Sequence, residues 1–81
     1  MFEKEIETVK SITLPDEVMK DVLDCIDAKI AYLKDETPDN LIEVKYSFDL
    51  AFTDIKALKS CHMISQADFD TIHVIIRKID E

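Results

Sequence analysis

Cys25, Cys61, His62 and His73 are the only thiols and imidazoles in the chain, so any soft-metal site or Cys–His nucleophile must be built from them. Zinc ligands usually come in pairs at short spacing, because one turn or loop then presents two donors together. Cys61 and His62 are adjacent and point in different directions, while Cys25 and His73 have no local companion. No metal site or cofactor is expected. Cys61 with His73 could be drawn as a nucleophile and its base, but nothing supplies an oxyanion hole, and a small bundle offers no cleft. The two thiols read as reduced core or boundary residues, His62 as an exposed helix-end residue, and His73 as a solvated one near Arg77. Glu17, Asp21 and Asp24 share a helical face with Lys20 and Asp27 beside them, and read as solvated surface. The chain is not expected to be an enzyme.

The 81 residues include no glycine and only two prolines, Pro15 and Pro38. Phosphate-cradling loops, dinucleotide fingerprints and nucleophile elbows all need glycine for close backbone approach or positive φ. Tight hairpins need it as well. What remains is a single all-α domain over residues 1–81: a small antiparallel bundle of three long helices and a short N-terminal one. The net charge is −8, with 18 acidic residues against 10 basic ones. That field repels polyanions, so direct nucleic-acid binding is not expected. The opening Met1-Phe2-Glu3-Lys4-Glu5 lacks the basic region and apolar run of a signal peptide. No apolar stretch approaches the ~18 residues that span a bilayer. A cytoplasmic protein with no membrane partner is expected. Lys outnumbers Arg nine to one beside eleven Ile, a usage that fits an AT-rich bacterial, phage or mobile-element genome.

The first amphipathic segment covers about Phe2 to Ser11, with Phe2, Ile6 and Val9 on one side. The second runs from about Pro15 to Lys34, with Pro15 at the first helical position and acids at the positive end of the dipole. Met19, Val22, Leu23, Ile26, Ile30 and Leu33 form its buried stripe, with Val18, Cys25 and Tyr32 along one edge. The third helix, about Pro38 to Ser60, is N-capped by Thr37. Leu41, Val44, Phe48, Ala51, Ile55 and Leu58 alternate three and four apart, the spacing of a coiled-coil seam. A second apolar stripe, Ile42, Tyr46, Leu50, Ala57 and Cys61, lies well away from the first at about 100° per residue. A helix apolar on two sides is sandwiched or shared with a partner, so these five residues are the candidate partner-binding surface. In Ile64-Ser65-Gln66-Ala67-Asp68-Phe69, Ser65 is the N-cap, Asp68 can return a bond, and Ile64 with Phe69 makes a hydrophobic staple. The fourth helix runs from there to about Ile79, with Phe69, Ile72, Ile76 and Ile79 facing inward and Ile75 nearby.

The turn before the fourth helix echoes a DNA-reading motif, but Lys59 and Met63 stand where small residues belong. Asp68 and Asp70 would also face phosphate. The segment Leu58 to Phe69 resembles the core of SHOCT, a short helical-hairpin module, and the resemblance extends over residues 55–79. Leu58, Ile64, Ser65, Asp68 and Phe69 occupy matching positions, and His62 stands in place of the module's glycine, where φ > 0 is needed. The resemblance implies an oligomerisation or interaction role. The expected function is that of a small acidic regulator, adaptor or inhibitor that binds a protein by occupancy, as a homodimer through the third helix. A chain this small buries only about 60% of its unfolded surface, which favours self-association. The alternative is an acidic mimic that occupies a nucleic-acid site on a host or defence enzyme. Its acids should cluster on one face, whereas Lys4, Lys20, Lys29, Lys34, Lys45, Lys56 and Lys59 interrupt them.

Overall fold

A computed structural model describes residues 1–80 and contains four helices. They are α1 (Glu3–Lys10), α2 (Asp16–Lys34), α3 (Pro38–Ser60) and α4 (Gln66–Asp80), with no strand among the described residues. Each boundary has a local cause. Thr37 Oγ1 accepts from the Asn40 N–H at 3.2 Å, with Pro38 inside the first turn of α3. The Asn40 amide donates to the Asp35 carbonyl at 2.8 Å, closing the α2–α3 turn. Ser65 Oγ accepts from the Asp68 N–H at 3.1 Å and starts α4. The return bond from the Asp68 side chain is absent among the described residues, as its short reach would suggest.

The end of α3 satisfies two otherwise orphaned carbonyls. The Met63 N–H donates to the Leu58 carbonyl at 2.8 Å and the His62 N–H to the Lys59 carbonyl at 3.1 Å. This is a Schellman arrangement, and it needs a left-handed residue at the position His62 holds. His62 has φ 57, a conformation that costs a residue with a Cβ more than it would cost glycine. Pro15 departs from expectation by one position. It is the N-cap of α2, its extended backbone turning the chain and its carbonyl accepting from the Met19 N–H at 2.9 Å.

The 23 residues of α3 make a rod about 34 Å long that spans most of the 38 Å long axis. The helix packs antiparallel to α2 on one side and to α4 on the other. Lys45 meets Asp80 near one end of the α3–α4 seam, and Lys59 covers Phe69 near the other. Val44, Ala51, Ile55 and Leu58 fill the interior beside Val22, Cys25 and Ile26 from α2 and Phe69, Ile72, Ile75, Ile76 and Ile79 from α4. Val9 of α1 and Ile12 of the following turn join this core.

Two expected core residues lie outside. Leu41 is 40% exposed and Leu33 is also exposed. Leu41 lies in the first turn of α3, outside the hydrophobic cluster that α2 and α4 build around Val44, Ala51 and Ile55. In α2, Cys25 is fully buried while Met19, Leu23 and Ile30 are half-buried, so the inner stripe is turned toward the Cys25 edge.

Candidate functional site

The outward side of α3 carries a row of apolar side chains. Ile42 is 63% exposed, Tyr46 66% and Leu50 40%. Ala57 and Cys61 are exposed further along the same helix. All five residues of the second stripe therefore face away from the bundle's own core. They do so because α2 and α4 together cover only the Val44–Ala51–Ile55 side of the helix.

On the α2 side, this row borders a groove of about 500 Å³. Its apolar lining comes from Ala28, Ala31, Tyr46 and Leu50, and its charges from Lys20, Asp21, Asp24, Asp27 and Glu43. Lys20 pairs with Asp24 at 2.9 Å, an exposed pair one helical turn apart that adds little stability. Just beyond the groove, Asp54 of α3 meets Asp21 of α2. The Asp54 carboxyl is pushed up to about 6 by desolvation first, then by its hydrogen bond with Asp21 and the charges of Asp21 and Glu17. Two carboxylates in contact cannot both ionise freely, so Asp54 holds its proton into the mildly acidic range. The groove lining contains no histidine or cysteine.

The α4 side differs in character. Phe52 stacks on His73, with ring centroids 4.9 Å apart and planes within 11°. Phe69 lies 5.6 Å from the same imidazole. Lys56 Nζ sits 4.8 Å over the Phe52 ring and Lys59 Nζ 4.5 Å over the Phe69 ring. Lys45 Nζ lies 3.0 Å from Asp80 Oδ1. His73 is thus half-buried in an aromatic seam rather than solvated near Arg77, because packing between α3 and α4 places it on Phe52.

The remaining candidates are dispersed. Cys25 is fully buried and its thiol is pushed up to about 12, by burial and then by the Asp80 charge, so it forms no thiolate nucleophile. Cys61 and His62 lie exposed at the end of α3. Among the described residues, no group of three or more His, Cys, Asp or Glu is placed to hold a metal ion. No helix among them is long and apolar enough to cross a membrane.

A second groove, about 510 Å³, lies between α1 and α4 and is lined by residues that include Lys4, Glu5, Val74 and Lys78. Glu5 Oε2 is covered there without a hydrogen-bond partner. Sequence reasoning missed Glu5, the Asp21–Asp54 contact and the Phe52–His73 stack. Each depends on which turns of two helices lie level, and periodicity within one helix carries no such signal. Comparison with known proteins finds no family model, curated protein or solved structure that matches the chain.

Proposed function

We propose that the protein works by occupancy: a small acidic helical regulator, adaptor or inhibitor that binds protein and self-associates through the outer face of α3. The observation that carries this reading is the contiguous exposure of Ile42, Tyr46 and Leu50. Scattered apolar residues on a surface need no explanation, but a row on one helix beside a groove partly lined by Ala28, Ala31, Tyr46 and Leu50 supports an interaction role. Dimerisation through this face would add the burial that a chain of 81 residues lacks. The resemblance of residues 55–79 to the SHOCT hairpin points toward the same kind of role.

Sedimentation equilibrium of wild type and Leu50→Glu tests it. Wild type should be dimeric at tens of micromolar, and the variant should be a monomer of unchanged helicity. A strictly monomeric wild type would refute the self-association.

The acidic-mimic reading gains one observation, the cross-helix grouping of Asp21 and Asp54 near Glu17. It would displace the first if Asn at positions 21, 24 and 54 abolished partner binding while Leu50→Glu left it intact.

A further inference from the structure

The two flanks of the α3 row carry opposite charge. On the α4 side stand Lys45, Lys56 and Lys59, fixed there by their contacts with Asp80, the Phe52 ring and the Phe69 ring. Asp49, four residues from Lys45 and seven from Lys56, lies on the same side, and with Asp80, the partner of Lys45, it offsets part of that charge and leaves the flank with an excess of lysine. On the α2 side stand Glu43 and Asp54, backed by Glu17, Asp21 and Asp24, with Lys20 as a cation among them.

We infer that the occupant of the α3 face is a second copy of this chain, seated with the two α3 helices parallel, so that each lysine flank lies against the other copy's acidic flank. The inference rests on the self-association proposed above and adds its geometry. In a closed two-fold dimer the same patch meets itself. Only two arrangements put α3 against α3. A two-fold axis along the helices makes them parallel and brings the left flank of one copy onto the right flank of the other. An axis across the helices makes them antiparallel and sets lysines on lysines and carboxylates on carboxylates. Like charges facing across an interface are strongly disfavoured, and each copy already carries −8. The acidic flank is crowded before any partner arrives, as the raised Asp54 carboxyl indicates. A second copy's lysines would relieve that crowding, whereas a second acidic flank would add to it. Among arrangements that cover Ile42, Tyr46 and Leu50, charge therefore selects the parallel one.

Cys61 provides a native probe of the difference. It is exposed near the end of α3, while Cys25 is buried with its thiol pushed up to about 12 and resists labelling. A nitroxide on Cys61 should give a pulsed-dipolar distance under about 20 Å in the parallel dimer, given helix axes 8–10 Å apart. Antiparallel helices overlapping over the apolar row would separate the labels by about 30 Å or more, at 1.5 Å per residue. Lys56→Glu supplies an independent sign. It should raise the dimer dissociation constant roughly fivefold in the parallel arrangement and lower it in the antiparallel one. Adding Asp54→Lys should restore association. A long label distance, or tighter association of Lys56→Glu, overturns the parallel geometry while leaving the dimer standing. A monomeric wild type, or a dimer indifferent to Leu50→Glu, overturns the proposed α3 interface itself.

Discussion

Asp54→Asn removes one ionisable group from the α2–α3 seam and keeps a side chain able to hydrogen-bond with Asp21. In the native protein that carboxyl is pushed up to about 6 by desolvation, then by the bond to Asp21 and the charges of Asp21 and Glu17. In the unfolded chain it titrates near 3.9, the usual value for aspartate. Between these values the folded state binds more protons than the unfolded one, so stability falls as pH rises. The penalty is absent below about pH 4, grows toward pH 6 and is complete above it. Taken at face value, the displacement from 3.8 corresponds to about 3 kcal/mol. Both carboxyls are half-exposed, and solvent screening reduces this to roughly 1 kcal/mol or less. Asp54→Asn should therefore stabilise the protein by ~0.5–1 kcal/mol near neutral pH, a Tm rise of several degrees in a chain this size. Urea melts of variant and wild type across the acid range, compared by difference, provide the assay. The gain should vanish below about pH 4. A variant less stable than wild type at neutral pH, or a difference that ignores pH, would refute the reasoning.

Three further outcomes are expected. Urea melts of the α4 turn should rank Phe69→Ala worst at ~3–5 kcal/mol, Ser65→Ala next at ~1 kcal/mol and Asp68→Ala mildest, since only Ser65 makes a capping bond. His62→Gly should stabilise by roughly 0.5–1 kcal/mol, because φ 57 suits glycine better, and a loss in thermal melts would contradict that account of the turn. Cys61→Ser should be neutral and Cys25→Ser should cost ~1–3 kcal/mol by burying a hydroxyl, while chelator leaves the Tm of the wild type unchanged.

Local chemistry was legible in the sequence at the caps of α3 and α4. Thr37 and Ser65 cap the helices they precede, and His62 has the positive φ that the resemblance to the SHOCT hairpin implied. Periodicity found the interior of α4 and most of that of α3. It failed at Leu41 and Leu33, because a stripe continues along a helix whether or not a neighbour reaches that far. Pro15 shifted from the first helical position to the cap for a similarly local reason: its carbonyl, with extended backbone, starts the helix equally well. Cross-helix contacts were not legible. Asp21 meets Asp54, and His73 stacks on Phe52, only because antiparallel packing sets particular turns side by side. The second stripe of α3 was visible as a pattern, and the structure places its five residues on the exposed side.

The most direct test of the central claim is a dilution series followed by amide NMR, which reads each residue's environment as association is reversed. Concentration-dependent shifts should concentrate on Ile42, Tyr46, Leu50, Ala57 and Cys61 and their charged flanks, with Val74 and the α1–α4 groove unmoved. Shifts centred on Val74, or spectra that do not change with concentration, would contradict self-association through α3.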